Sequence, residues 1–231
     1  MIPALLYIML KRIHKNKISF HFKYLNKRFF RYLIKIMISI SVIMIISLVN
    51  TVSKGQQLNY TVLHNGNKIG WIKLVKSCDS EQYCKMTLTS ETKFRIVVSF
   101  TTYIFETAFF LKDRLVFSSQ YHSANGTVKV NKKTKFTDKG YEVIDGTEIK
   151  LLDQEIIQFN LLCLYFNEPI AFKKVYCDKH QSYNDIERTV DGGYKVKFNN
   201  GNSNIFYYKM GVCIKVIINH PLYSAEVILN Q

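Results

Sequence analysis

Short hairpin turns recur along residues 56–231, and they constrain the fold more than any other feature of the chain. Asn-Gly and Asp-Gly pairs supply the positive φ angles that tight β-turns need. The segments between them are rich in the strand formers Val, Ile, Thr, Tyr and Phe. Pairs of this kind, one Gly-Gly included, occur at Asn65-Gly66, Asn125-Gly126, Asp145-Gly146, Gly192-Gly193 and Asn200-Gly201. The pattern predicts an all-β fold: a curved antiparallel sheet or partial β-barrel of about ten strands.

One segment departs from the strand pattern. Asp153–Phe166 opens on Asp153, a good N-cap, and carries Glu155 in its first turn. Apolar side chains then follow at helical spacing, and Pro169 ends the pattern. The sequence therefore predicts one central helix of three to four turns. We expect it to cover one mouth of the sheet or to pack on its concave face.

Residues 1–55 have the layout of an export signal. Residues 1–35 contain nine Lys and Arg residues and no acid, and no residue from Ile36 to Ser53 is charged. The apolar stretch from Ile36 to Val49 is about as long as the apolar region of a signal peptide, and it is short for a membrane span of about 20 residues. The layout predicts a basic segment followed by an apolar signal or anchor helix.

A cleavage site follows the apolar run. Ser53 and Gly55 place small residues at the −3 and −1 positions of a cut before Gln56. The basic segment is long for a signal, so either translation starts downstream of Met1 or residues 36–53 remain as an uncleaved anchor in the inner membrane. Both interpretations place residues 56–231 outside the cytoplasm, in the periplasm or cell envelope, as a single β-rich domain.

The net charge of +15 lies mostly outside that domain. Ten of the 32 basic residues precede residue 56, so the remaining 22 stand against all 17 acids and leave +5. Nucleic-acid binding needs a basic patch on the folded domain. The charge distribution therefore predicts no nucleic-acid partner.

Five cysteines do not suit a closed disulfide framework, and none of them shows the Cys-x-x-Cys spacing of a zinc site. Cys78 and Cys84 flank a polar turn, where a disulfide is possible in an oxidising compartment; the sequence leaves that bridge open. We expect Cys163, Cys177 and Cys213 to be small buried apolar residues.

Several segments resemble a family of uncharacterised exported bacterial proteins, a domain of unknown function. The segments are a hairpin with Tyr60, Val62, Asn65, Gly66, Ile69 and Gly70, then Leu164-Tyr165-Phe166-Asn167-Glu168-Pro169, Val175-Tyr176-Cys177-Asp178 and Tyr207-Tyr208-Lys209-Met210-Gly211-Val212-Cys213. The resemblance implies an envelope location, an all-β fold with one helix, and no assigned activity. This chain departs from the family at Cys177-Asp178, where Ser-Glu is usual.

Motifs of catalysis are absent from the sequence. It has no Gly-x-Ser-x-Gly elbow, no His-Glu-x-x-His and no phosphate-binding glycine loop. Cys177, Asp178 and His180 are close in sequence, but on a strand Cys177 would face away from the other two. We interpret them as a polar strand end, and no metal or cofactor is predicted.

Aromatic residues supply the candidate ligand-binding positions. A curved sheet of this size either fills its interior or leaves a cavity for an apolar ligand. The candidates for contact with such a ligand are Trp71, Phe100, Tyr103, Phe105, Tyr165 and Tyr176.

Three functions remain open, and the first is non-enzymatic binding of an apolar small molecule or lipid. The second is a membrane-associated structural or protein-interaction module, which needs an exposed apolar patch or strand edge. The third, ranked last, is a hydrolase-like enzyme in which Cys177, Asp178 and His180 converge in a cleft. The sequence does not indicate an oligomeric state.

Overall fold

Antiparallel hairpins follow one another through the described part of the chain. The structure is a computed structural model, and it describes residues 54–79, 82–95, 99–152, 156–221 and 223–230. Residues Ser53–Gln231 form one compact unit. The predicted signal or anchor from Ile36 to Val49 lies outside the described residues.

The described residues contain fourteen strands, more than the ten or so that the sequence predicts. They are β1 Lys54–His64, β2 Asn67–Cys78, β3 Tyr83–Arg95, β4 Ser99–Leu111, β5 Arg114–Ala124, β6 Thr127–Thr137, β7 Gly140–Asp145, β8 Glu148–Leu152, β9 Lys174–Cys177, β10 Ser182–Arg188, β11 Tyr194–Lys197, β12 Ser203–Lys209, β13 Val212–His220 and β14 Tyr223–Leu229.

Strands β3 and β10 begin at turns without an Asn-Gly or Asp-Gly pair, so the turn pattern does not indicate them. Gln82 precedes β3 with φ of 62°, and Gln181 precedes β10 with φ of 53°. A left-handed glutamine is uncommon and gives no signal in the sequence. Turn counting therefore underestimates the number of strands.

All fourteen strands belong to one sheet, in the order β8-β7-β6-β5-β4-β3-β2-β1-β14-β13-β12-β11-β10-β9. The chain runs from the centre of the sheet to one edge at β8. It then crosses to the other edge at β9 and returns to the centre, where β14 pairs with β1. The crossing segment, residues 156–173, is thus the described part of the connection between the two edges.

Backbone hydrogen bonds fix the crossing segment to strands from both halves of the sheet. The N–H of Leu115 in β5 donates to the carbonyl oxygen of Ile157 (2.8 Å), and the N–H of Tyr176 in β9 donates to that of Phe159 (2.9 Å). Because β5 and β9 are far apart in the strand order and meet at the same segment, the sheet is strongly curled. The curved all-β sheet predicted from the sequence is confirmed in this coarse form.

The long central helix predicted over Asp153–Phe166 is wrong. Only Cys163–Phe166, here α1, is helical, and all four of its residues are buried. Residues 153–155 lie outside the described residues. In residues 156–159 buried and exposed side chains alternate, with Ile157 and Phe159 buried, as in an extended segment. Bonds to β5, to β9 and to the hydroxyl of Tyr141 use backbone groups that a helix would have paired internally.

Tyrosine hydroxyls attach the crossing segment to the core. Tyr141 donates to the carbonyl oxygen of Leu115 (2.8 Å) and accepts from the N–H of Ile157 (3.1 Å). Tyr208 donates to the carbonyl oxygen of Leu164 (2.7 Å). These bonds satisfy backbone groups that the core would otherwise leave unpaired.

The cysteines divide into one bridged pair and three free thiols. Cys78 and Cys84 are opposite each other at the ends of β2 and β3, and a disulfide joins them. Cys163, Cys177 and Cys213 are free and buried.

Gly70 provides a test of packing between β1, β2 and β3. A Cβ at this position would lie 2.2 Å from the carbonyl oxygen of Glu91 and 2.7 Å from Cα of Thr92. We expect Gly70→Ala to lower the free energy of unfolding by about 1–3 kcal/mol in urea titrations followed by circular dichroism, because backbone atoms must move. Gly55→Ala, measured in the uncleaved chain, is the matched control, since a Cβ there has no atom within 4 Å. Equal stability of the two variants would contradict this account.

Candidate functional site

A cavity of about 310 Å³ lies on the inner face of the sheet. Its walls come from eight strands that are consecutive in the sheet, from β6 through β1 and β14 to β13. Much of the lining is aliphatic and includes Val62, Ile72, Ile104, Ile218, Ala225 and Val227. Because residues two apart on a strand share a face, the curl brings alternate side chains of eight strands around one space.

Polar side chains are grouped on one part of the cavity wall. They are Ser90, Thr92, Thr102, His122, Ser123 and Lys129. The hydroxyls of Thr92 and Thr102 are 2.6 Å apart, within hydrogen-bond distance. The cavity therefore combines an apolar lining with a small number of polar groups, as small-molecule sites commonly do.

His122 connects the cavity wall to a carboxylate deeper in the sheet. Its Nε2 lies 2.7 Å from Oε1 of Glu106, and both side chains are mostly buried. Glu106 follows the cavity residues Thr102 and Ile104 on the inward face of β4. When His122 is protonated, the two side chains form an ion pair beside the cavity.

A second buried acid lies near Glu106. Asp178 follows β9, and its carboxyl accepts hydrogen bonds from the hydroxyl of Ser118 and from Nδ2 of Asn160 (3.0 Å). Burial raises the pKa of Asp178 to about 7; the bond from Ser118 opposes this rise and the charge of Glu106 adds to it. Ser118 and Asp178 join β5 to the end of β9, so this carboxyl belongs to the contact that keeps the sheet curled.

Three of the six aromatic candidates point to the opposite side of the sheet from the cavity. Trp71, Tyr103 and Phe105 are 39%, 40% and 38% exposed. Their chain neighbours Ile72 and Ile104 line the cavity instead. These residues were selected for their size, whereas strand alternation decides which residues face the interior.

The other three candidates lie at the rim or in the core. Phe100 is 39% exposed and stacks on Phe94, a cavity residue, with ring centroids 5.8 Å apart. Tyr165 and Tyr176 are buried, and the ring of Tyr165 packs edge-on against Tyr60 (5.5 Å). None of the six candidates is among the described residues that line the cavity.

Cys177, Asp178 and His180 do not share one cleft. Cys177 is buried, and burial raises the pKa of its thiol to about 12, which disfavours the nucleophilic thiolate. The imidazole of His180 lies beside the ring of Phe198 (5.9 Å), while Asp178 is bonded to Ser118 and Asn160.

Within the described ranges, no group of three or more His, Cys, Asp or Glu residues could hold a metal ion. No helix in that part of the chain has the length and hydropathy to cross a membrane.

Comparison with known proteins shows a family and a fold. The model of a domain of unknown function, DUF6134, matches residues 60–230. A crystal structure of a β-barrel-like protein of domain of unknown function DUF1849 from Brucella abortus is similar, with a TM-score of 0.52 and 10% identity over 78% of this chain and 97% of that chain. No curated protein matches the chain in sequence. The predicted resemblance to a domain of unknown function is confirmed, and the structural likeness concerns the fold alone.

The raised pKa of Asp178 predicts how stability depends on pH. The folded state holds this proton more tightly than the unfolded state, so the stabilisation is complete below about pH 4 and is lost as the pH rises through about 7. In denaturant titrations, we expect the free energy of unfolding of the wild type to fall by an amount on the order of 2–4 kcal/mol between these pH values. Asp178→Asn should not show this fall, because its side chain does not titrate. Asp185→Asn, at an exposed carboxylate, is the control. Parallel pH profiles for wild type and Asp178→Asn would contradict the assignment.

Proposed function

We propose that this chain, which belongs to the DUF6134 family, a domain of unknown function, binds an apolar small molecule or a lipid acyl chain in the cavity. The ligand would be held without chemical change. The observation that carries this proposal is the largely apolar cavity of about 310 Å³ that eight strands line. A volume of this order is within the range of small-molecule sites, which is about 300–1,000 Å³.

The distribution of polar groups favours an amphipathic ligand. Apolar contacts with the aliphatic wall would supply most of the binding free energy, because they remove ligand surface from water. Thr92, Thr102 and His122 offer hydrogen bonds to a polar end of the ligand. The ligand class is therefore a molecule with a hydrocarbon body and one small polar group.

We also propose that the domain lies outside the cytoplasm, in the periplasm or cell envelope. The disulfide between Cys78 and Cys84 supports it, since such bonds persist in oxidising compartments. Cleavage between Gly55 and Gln56 is compatible with the fold, because β1 begins at Lys54 and a cut there removes only its first two residues. An envelope protein with an apolar cavity would shield a lipid-like ligand from water.

A protein-interaction module is the second candidate, and one feature favours it. Strand β8 is an edge of the sheet, and its residues Ile149 and Leu151 are 64% and 58% exposed. An exposed edge with apolar side chains can pair with a strand of another chain. The two functions are compatible because β8 contributes no residue to the cavity.

Native mass spectrometry tests ligand binding directly. The full chain would be expressed with its own N-terminal segment and purified without detergent. We expect a bound mass in the range of a fatty acid or lipid that is lost on denaturation. A protein free of bound mass that also fails to bind the fluorescent apolar probe N-phenyl-1-naphthylamine would overturn the proposal.

A pair of variants on β14 locates the site. The side chain of Ala225 is buried and lines the cavity, whereas its neighbour Ser224 is exposed on the opposite face. We expect Ala225→Phe to fill the cavity and weaken N-phenyl-1-naphthylamine binding by about tenfold or more, with Ser224→Phe close to wild type. Circular dichroism would verify that both variants are folded. Equal effects of the two substitutions would place the probe elsewhere.

A further inference from the structure

Six aromatic side chains of β2, β4 and β5 lie on the outer face of the sheet, three of them exposed and three partly buried. We name as the outer aromatic face the side chains of Trp71, Tyr103, Phe105, Phe109, Phe117 and Tyr121. The strand register brings them together: Phe105 is opposite Tyr121, and Phe109 is opposite Phe117. The rings of Phe109 and Phe117 are 5.9 Å apart, and those of Tyr103 and Tyr121 are 6.3 Å apart. The rings of β4 and β5 therefore form two pairs on one face, and Trp71 lies on the same face on the far side of β3.

Lysines lie among and beside these aromatic side chains. Lys85 and Lys93 are on β3, between Trp71 and the rings of β4; Lys73 is on β2, and Lys133 and Lys135 are on β6, next to β5. All five are exposed, and none forms an ion pair with another described residue. Nζ of Lys85 lies 5.5 Å from the ring centroid of Phe109, so the positive charge is close to the aromatic groups.

Negative charge is sparse on the same face. Glu91 lies between Trp71 and Tyr103 in the register, and Glu142 of β7 is opposite Lys135. The modest net charge of residues 56–231 is thus unevenly distributed on the folded domain, because the register concentrates free lysines around the aromatic groups. The complementary partner is an anionic surface with an apolar layer beneath it.

We propose that the outer aromatic face docks on the headgroup region of an anionic lipid bilayer. Trp and Tyr rings are enriched at the membrane interface, where an apolar body and a polar tip are both accommodated. Lysines next to such rings bind lipid phosphates and strengthen the attachment. A protein partner would need an acidic surface matched to lysines spread over β2, β3 and β6, whereas an anionic bilayer presents such charge over a continuous plane. The face is separate from the cavity, since alternation places the two on opposite sides of the same strands.

The fluorescence emission of Trp71 can be used to measure this contact. Trp71 is the single tryptophan of the 231 residues and lies within the outer aromatic face. A membrane contact elsewhere in the full chain, including one through residues 36–53, would leave the surroundings of Trp71 unchanged. The emission of Trp71 therefore distinguishes docking of this face from attachment by another segment.

The experiment titrates the full chain with vesicles of phosphatidylglycerol and phosphatidylcholine in equal parts, and with vesicles of phosphatidylcholine alone. We expect Trp71 emission to move to shorter wavelength and to be quenched by brominated lipid on the anionic vesicles only. The effect should weaken as salt screens the lysines. Unchanged Trp71 emission on anionic vesicles, or an equal change on both kinds of vesicle, would overturn the proposal; unchanged emission would direct attention to a protein partner.

Charge-reversal variants identify the contacts. Lys85→Glu, Lys133→Glu and Lys135→Glu together should weaken the Trp71 response by about tenfold or more, because three attractive contacts become repulsive. The control carries the same charge change at exposed lysines elsewhere, Lys68→Glu, Lys179→Glu and Lys209→Glu, and should retain most of the response. Equal loss in both triple variants would show general charge attraction without this face. Ala225→Phe should respond like the wild type, which separates docking from ligand binding.

Discussion

Hydrogen bonds between the crossing segment and the two halves of the sheet hold the fold in its curled form. The N–H of Leu115 in β5 and that of Tyr176 in β9 both donate to this segment, at Ile157 and Phe159. Without this connection the fourteen strands would be an open ribbon with two free edges. With it, the sheet curls and the buried side chains form a core around α1, while eight consecutive strands of the curled sheet line the cavity.

Alternation along the same strands gives the domain two chemically different faces. On β4, Thr102 and Ile104 face the cavity, whereas Tyr103 and Phe105 face outward. A lipid-like ligand inside and an anionic bilayer outside are consistent as a pair, since a protein that takes such a ligand must reach the membrane in which it dissolves. The two proposals rest on different residues, so each can fail without the other.

The buried carboxyl of Asp178 shows that the interior is not wholly apolar. Its hydrogen bonds from Ser118 and Asn160 reduce the unfavourable free energy of burial without removing it, and its pKa therefore stays near 7. The acid lies where β5, the crossing segment and the end of β9 meet. A pH change near neutrality thus acts on the contact that keeps the sheet curled, a few side chains away from His122 in the cavity wall.

The amino-acid sequence was enough to identify the all-β class, the positions of the Asn-Gly and Asp-Gly hairpins, and the family resemblance, because turn residues and strand formers act locally. It misjudged the crossing segment, since Asp153 and the apolar spacing after it favour a helix in isolation while Ile157 and Phe159 bond to strands distant in the chain. It also selected Trp71, Tyr103 and Phe105 for an interior that their neighbours occupy. Which face is inside, which lysines border the aromatic groups, and where Asp178 is buried were decided only by the curl of the sheet, because these are contacts between residues far apart in sequence.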